Sequence, residues 1–199
     1  MSRVLRKITP LTLALAALLS LGLGGCETPV QRQRLPELTF AHLSPFKLDV
    51  ARIEVISLYR PPLKAPNVEH LFPTPPLKAM KQWAKDRLRA VGRSGTAKLI
   101  ITRASAVETA LAVQTGLKAT FTKQQTQRYD LTVEARLEVS SPQGHGTTTA
   151  HATRFSTVRE DASINAREKI WFDLTEALVN DFDKAMEKNI RRHLRGWLR

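Results

Sequence analysis

Alternating apolar and polar residues mark one long segment of the chain as a half-buried β-strand. Its apolar positions are Tyr129, Leu131, Val133, Ala135, Leu137 and Val139. The residues between them are polar or charged, which places one face of the strand on a core and the other in water. Turn-forming residues follow at 140–146, and a β-branched segment follows at 147–158. The pattern therefore predicts a β-hairpin.

Three further segments show weaker strand patterns. At 47–59, β-branched apolar residues alternate with charged ones, which predicts a strand. Segment 97–108 contains an uninterrupted apolar triplet near its start, which indicates a strand that is buried on both faces at that end. The weak alternation at 111–121 is broken by glycine, so a short strand and a loop remain as alternatives.

Helical periodicity first appears after a proline-rich segment. A helix is predicted to begin with Thr74 as its N-cap and proline in its first turn, and to end before Gly92. Its apolar face consists of Leu77, Met80, Ala84, Leu88 and Val91, with Trp83 at the border. This amphipathic pattern predicts that the helix packs against a core.

A second, longer helix is predicted near the C-terminus. It begins at Asp161 or Ser163, and its apolar stripe continues to Trp197. The arginine-rich end at 191–199 is interpreted as the packed end of this helix. A contact with a membrane interface is the alternative interpretation of the same residues.

The order of these elements predicts an α+β fold. Strand, helix, three or four strands and helix follow one another. Two amphipathic helices and a sheet with one polar face indicate a two-layer sandwich, with both helices on one face of a mostly antiparallel sheet. The strands before and after the first helix are expected to be joined by a right-handed crossover if they pair in parallel.

Proline-rich and irregular segments lie outside these elements. Six of the chain's 11 prolines lie between Pro61 and Pro76, a density that excludes helix and central strand and predicts a stiff loop. Residues 26–45 have no sustained periodicity and are interpreted as a tether, in which 38–40 docks on the domain. The chain is therefore divided into 1–25, the tether and a single domain at 46–199.

The first 25 residues have the pattern of a secretory signal peptide. Basic residues without acids precede an apolar run at 11–23, which is shorter than the roughly 20 residues of a membrane span. Small residues and the chain's single cysteine, Cys26, end this run. An ordinary secreted protein with a buried cysteine is the alternative interpretation.

The tetrapeptide LGGC at 23–26 resembles the bacterial lipobox. In lipoproteins of that type the cysteine thiol receives a diacylglyceryl group, the chain is cut before the cysteine, and the new amine is acylated. The resemblance implies that Cys26 carries a lipid anchor and that the domain faces the periplasm. The next residue is Glu27 rather than aspartate, which favours the outer membrane over the inner one.

The rest of the chain resembles the small periplasmic lipoproteins of Gram-negative bacteria, including those of alphaproteobacteria. Its order of elements is similar to that of the auxiliary lipoproteins of ABC-type transport systems and of the lipoprotein plug of the lipopolysaccharide translocon. These resemblances imply a membrane-anchored, non-enzymatic accessory or assembly component of an envelope or transport complex. They assign no role to any residue of the domain.

The chain is strongly basic. Lys and Arg number 31 against 18 Asp and Glu, a formal net charge of +13, and removal of the three basic residues of the signal leaves +10. Such a chain is attracted to anionic surfaces. Nucleic acid is excluded as a partner because export separates the protein from it.

A basic stripe on the first predicted helix is the clearest charged feature. It consists of Lys78, Lys81, Lys85 and Arg89, and Arg87 and Arg93 extend it. We expect it to contact an anionic lipid, a lipopolysaccharide phosphate or an acidic protein partner. An ordinary solvated helix face is the alternative.

The proline-rich loop carries the second candidate site. Asn67, Glu69, His70 and Phe72 are predicted to form a partner-binding edge, because a stiff loop loses little entropy on binding. An envelope hydrolase that uses this loop is the alternative function, and a structural lipoprotein that binds peptidoglycan or anionic lipid is a third. The sequence contains no metal or cofactor motif and places no nucleophile, so no catalytic residue, metal or cofactor is predicted.

Overall fold

The computed structural model describes residues 34–112 and 124–199. Cys26, the lipobox and the signal peptide lie outside the described residues, as does most of segment 111–121. Within the described ranges, no helix combines the length and the apolarity that a membrane span requires. Residues Arg34–Arg199 form one compact unit.

The described residues form six strands and two α-helices. In chain order these are β1 (Phe46–Leu48), β2 (Arg52–Ser57), α1 (Pro76–Arg87), β3 (Leu88–Ala90), β4 (Thr96–Ala110), β5 (Gln125–Ser141), β6 (Gly144–Arg159) and α2 (Ile164–His193). Four of the strands form the main sheet in the order β2-β4-β5-β6. β2 and β4 are parallel, whereas the β4–β5 and β5–β6 pairs are antiparallel. The predicted hairpin at 128–158 is the β5–β6 pair.

One face of this sheet is apolar and is covered by both helices. In β5 the buried positions are Tyr129, Leu131, Val133, Ala135, Leu137 and Val139, as the alternation predicted. α1 adds Met80 and Trp83 to the same core, and α2 adds Leu178 and Phe182. In β4, Leu99–Ile101 is buried on both faces, also as predicted. The predicted α+β two-layer sandwich with a mostly antiparallel sheet is confirmed.

The predicted strand at 47–59 is two strands, and the predicted helix ends earlier than Gly92. The chain turns at 49–51, so that β1 pairs with β3 in a separate two-stranded parallel sheet, in which Phe46 is opposite Leu88. Residues 88–90 must be extended to make this pairing, which ends α1 at Arg87. Gly92 permits the close approach, because a Cβ there would lie 2.6 Å from the backbone of Val50.

The C-terminal end is packed against the sheet, as the continuous stripe predicted. Ser163 is the N-cap of α2 and accepts a hydrogen bond from the N–H of Ala166 at 3.2 Å. After α2, the indole N–H of Trp197 donates to the Oγ of Ser141 at 2.9 Å, and the N–H of Arg199 donates to the carbonyl of Lys47 at 3.0 Å. The arginine-rich tail is therefore a closing segment of the domain.

The described part of the predicted tether also contacts the domain. Leu38 and Phe40 are buried in the core. The carboxylate of Asp86 on α1 accepts hydrogen bonds from the Phe40 N–H at 2.8 Å and from the Thr39 hydroxyl at 3.0 Å. The predicted docking of 38–40 is confirmed, and the contact engages an acidic side chain on the helix that carries most of the basic stripe.

Candidate functional site: a cleft between the proline loop and the first helix

The proline-rich loop is bonded to the edge of the main sheet. The Val68 N–H donates to the Ala106 carbonyl at 2.9 Å, and the Glu108 N–H donates to the Pro66 carbonyl at 2.9 Å. An isolated β-bridge joins Asn67 to Val107 between these two bonds. The loop is therefore held in place by backbone contacts to β4 as well as by its prolines.

Tyr59 and Glu69 form the polar centre of this loop. The Tyr59 hydroxyl donates to Oε1 of Glu69 at 2.5 Å, and the Ala106 N–H donates to Oε2 at 3.4 Å. Glu69 is only 1% exposed. Burial, and then the neighbouring Glu69 carboxylate, raise the pKa of the Tyr59 phenol above its ordinary value of 10.0, while a hydrogen bond with the Asn67 side chain opposes this rise. Glu69 and Asn67 therefore stabilise the loop from inside.

A cleft of about 380 Å³ opens between the loop and the start of α1. Its lining residues are Pro61, Leu63, Glu69, His70, Pro75, Leu77, Lys78 and Lys81. The volume falls in the range of roughly 300–1,000 Å³ that is typical of small-molecule sites. The cleft joins the two regions that the sequence singled out separately, because Glu69 and His70 come from the loop and Lys78 and Lys81 from the stripe.

Leu63 occupies an unusual backbone conformation at this cleft. Its φ angle is 57°, in the left-handed region that bulky residues rarely adopt. The conformation costs about 1–2 kcal/mol for an L-residue. Its side chain is also 65% exposed. Strained backbone conformations cluster at active sites and ligand-binding sites, so the φ angle of Leu63 supports the cleft as a candidate site.

Lys78 and Lys81 supply the positive charge of the cleft. Both side chains are exposed, and neither forms an ion pair with any residue in 34–112 or 124–199. Asp86, the one acidic residue of α1, accepts hydrogen bonds from the 39–40 segment and from Gln82. Two ammonium groups and the single carboxylate of Glu69 leave the cleft with an excess of positive charge.

The remaining residues of the predicted stripe lie elsewhere. Lys85 is exposed on α1 but does not line the cleft. Arg89 lies on β3, because the helix ends at Arg87, so the prediction of a single helical stripe of four is wrong for Arg89. Arg87, which the sequence added to the exposed cluster, is buried in an ion pair with Asp183.

Phe72 also differs from its predicted role as a surface residue of the loop. It is only 4% exposed. Its ring stacks on Trp171 with centroids 4.8 Å apart and meets Tyr129 edge to face at 6.3 Å. These contacts place Phe72 in the core, where it fixes the loop to α2 and β5.

Leu63 and Leu77 are lining residues that sequence reasoning missed. Leu77 was interpreted as a core position of the helix, and Leu63 carried no signal beyond its place among prolines.

A metal centre is a different kind of site. Within the described ranges, His, Asp and Glu do not come together in groups of three or more that could hold a metal ion.

No protein-family model matches the chain, and no curated protein matches it. Among solved structures, the crystal structure of rare lipoprotein B from Shewanella oneidensis matches with a TM-score of 0.35 and 9% sequence identity. The match covers 69% of this chain and 92% of that one. A similarity of this size places the chain in no family.

Proposed function

We propose that this chain is a lipid-anchored accessory component of a bacterial envelope or transport complex, which binds an anionic envelope component at the cleft and catalyses no reaction. The observation that supports binding at the cleft is the pair Lys78 and Lys81, which lack ion-pair partners among the described residues at an apolar opening with fixed walls. The lipobox at 23–26 supports the anchor. Glu27 after the cysteine favours the outer membrane as the location.

The length of the tether supports action close to a membrane. Eleven residues separate Cys26 from Leu38, the first buried residue after Arg34. Even a fully extended segment of this length spans at most about 40 Å. Acyl chains on Cys26 would therefore hold the domain near the bilayer surface and raise the effective concentration of membrane components around the cleft.

The groups that line the cleft favour binding over catalysis. The Glu69 carboxylate accepts hydrogen bonds from Tyr59 and Ala106, and among the residues that the structure describes no serine, threonine or cysteine lines the cleft as a nucleophile. His70 is exposed beside Glu69 and is the residue on which a hydrolase would have to rely. We therefore use His70→Ala as the variant that separates the two functions.

Mass spectrometry of the native protein tests the anchor. We expect a mature chain that begins at residue 26 with an acylated cysteine and that fractionates with membranes. The Cys26→Ser variant should lack the acyl groups and leave the membrane fraction. A native chain that begins at Met1, is unmodified and lies in the cytosol would contradict the proposal.

Photo-crosslinking in the native envelope tests binding at the cleft. A crosslinking residue in place of Leu63 should capture an anionic component, and the same residue in place of Leu71, which is exposed but does not line the cleft, should not. Capture at Leu63 should persist in the His70→Ala background. A turnover activity in the purified protein that disappears in His70→Ala would instead support the hydrolase.

A further inference from the structure

We infer that the occupant of the cleft is an acyl chain of an anionic lipid, with the headgroup at Lys78 and Lys81. This inference deepens the proposed function by naming the class of ligand, and it rests on that function only for the location of the protein. The apolar walls, the position of the two lysines and the two prolines of the lining, which have no backbone N–H, each support it.

The apolar walls of the cleft suit a hydrocarbon chain. Pro61, Leu63, Pro75 and Leu77 contribute apolar surface to the lining. The backbone holds Leu63 at a positive φ with its side chain largely in water, which is unfavourable unless something apolar covers it. An acyl chain would remove this surface from water.

The polar groups are arranged to orient such a chain. Glu69 is buried and hydrogen-bonded to Tyr59, so its carboxylate disfavours an anion in the part of the cleft that it lines. Lys78 and Lys81 are exposed and lie three residues apart, so both residues lie on the same side of α1. Electrostatics therefore favours a ligand whose anionic end lies at the two exposed lysines, away from Glu69.

A peptide suits the cleft less well than a lipid. Extended peptides bind mainly through backbone hydrogen bonds. Pro61 and Pro75 in the lining have no N–H to donate. A free phosphate, in turn, would leave the apolar walls exposed. An anionic lipid satisfies both the charge and the apolar surface, and a membrane-anchored protein meets such lipids at high local concentration.

Calorimetric titration with single-chain lipids below their micelle concentration tests the inference. The protein is the chain from residue 26 with Cys26→Ser, which contains the entire compact unit at Arg34–Arg199. We expect lysophosphatidylglycerol to bind about tenfold more tightly than lysophosphatidylcholine of the same chain length, a difference that two surface charges can supply. Glycerol phosphate, which has the anionic group without the chain, should show no measurable binding.

Charge variants provide a matched comparison. Lys78→Gln with Lys81→Gln should lower the affinity for lysophosphatidylglycerol about tenfold, to the level of lysophosphatidylcholine. Lys85→Gln with Arg89→Gln removes the same charge outside the cleft and should leave the affinity within about twofold. Equal losses in the two variants would show that the net charge, rather than the cleft, attracts the lipid, and would overturn the inference.

Apolar variants test the binding of the chain. Leu63→Asn removes the apolar side chain, and asparagine tolerates the positive φ angle at this position. The variant should bind both lipids more weakly. Leu71→Asn alters an exposed leucine outside the lining and should leave the binding of both lipids unchanged. Thermal unfolding of each variant identifies any loss of fold. No binding by the parent chain, unaltered binding in Leu63→Asn, or displacement of the lipid by an acidic peptide would overturn the inference.

The anchor and the ligand can fail separately in these experiments. If the Cys26→Ser chain binds lipid but the native protein is unacylated, the proposed cleft ligand stands and the proposed envelope location is rejected. If the native protein is acylated but its Cys26→Ser form binds none of the lipids, the proposed anchor stands and the proposed ligand is rejected.

Discussion

Nε of Arg87 and Oδ1 of Asp183 lie 2.7 Å apart between the two helices, and their side chains are only 3% and 8% exposed. The same carboxylate oxygen accepts the indole N–H of Trp83 at 2.7 Å. Arg87 also contacts Glu187 at 3.2 Å and donates to the carbonyl of Ser44. A buried charge with this many partners connects α1, α2 and the segment before β1.

Removal of Asp183 should therefore destabilise the protein strongly. We expect Asp183→Ala to lower the free energy of unfolding by about 3–5 kcal/mol, because it leaves the Arg87 guanidinium and the Trp83 N–H without their main acceptor. The exposed pair Lys169–Asp173 provides the control, and Asp173→Ala should change the value by no more than about 0.5 kcal/mol. Urea denaturation measures both.

Arg87→Met, combined with Asp183→Ala in a double-mutant cycle, tests the coupling. The double variant should lose less stability than the sum of the single losses, because each single change leaves a buried polar side chain without its partner. Strict additivity would contradict the view that these two residues act as one unit.

Both tyrosines of the chain should titrate well above pH 10. Burial, and then the Glu108 carboxylate, raise the pKa of Tyr129 to about 12, and burial with Glu69 raises that of Tyr59. Because the chain has only two tyrosines, the phenolate absorbance of the whole protein reports on these two groups alone. The folded protein should show little phenolate near pH 10, where the unfolded protein in guanidinium should show half of its full amplitude.

The same shifts predict alkaline destabilisation. Above pH 10 the folded state retains phenol protons that the unfolded state has released. The free energy of unfolding should therefore be unaffected by these groups below pH 10 and fall as the pH rises through the folded-state pKa values. Tyr59→Phe should reduce the slope and leave one titrating tyrosine. Two phenols that titrate near pH 10 in a protein with intact circular dichroism would contradict this prediction.

The sequence predicted the main sheet well because its signal is local. Each inward position of 129–139 is buried. Side chains alternate between the two faces of any strand, so this pattern can be predicted without knowing which strands lie beside it. The end of α1 at Arg87 is different. It depends on the pairing of Leu88–Ala90 with Phe46–Leu48, some 40 residues earlier in the chain. The helical periodicity of the sequence continues beyond Arg87, so the local pattern does not indicate where the helix ends.

The cleft could be predicted only in part for a related reason. The loop and the basic stripe were each visible in the sequence as local composition. Their proximity depends on the pairing of Asn67 with Val107, a register that no local pattern encodes. Phe72 was misinterpreted because its stacking partner, Trp171, lies about a hundred residues away in the chain.

Neighbouring positions 71 and 72 should differ sharply in their effect on stability. Phe72 is 4% exposed and contacts two aromatic rings of the core, whereas Leu71 is 53% exposed. Phe72→Ala should lower the free energy of unfolding by about 3–5 kcal/mol through the cavity that it leaves. Leu71→Ala should change it by less than about 1 kcal/mol. Similar losses at both positions in chemical denaturation would argue against a core role for Phe72.

Gly146 should be required for the packing of the C-terminal tail. A Cβ at this position of β6 would lie 2.6 Å from the ring of Trp197 and 2.7 Å from the side chain of Leu194. Gly146→Ala should therefore displace the tail and cost about 1–3 kcal/mol. Gly196→Ala is the matched control, because no other described residue lies within 4 Å of a Cβ added there and the residue belongs to the same tail.

Limited proteolysis should reveal the displaced tail directly. Trypsin is expected to cleave Gly146→Ala faster than the parent after Arg192 and Arg195, since the closing contact of Trp197 with Ser141 is weakened. Gly196→Ala should be cleaved at the parental rate. Equal protection of all three proteins, with equal free energies of unfolding, would mean that the tail tolerates the added methyl group and that its packing on β6 contributes little to the stability of the domain.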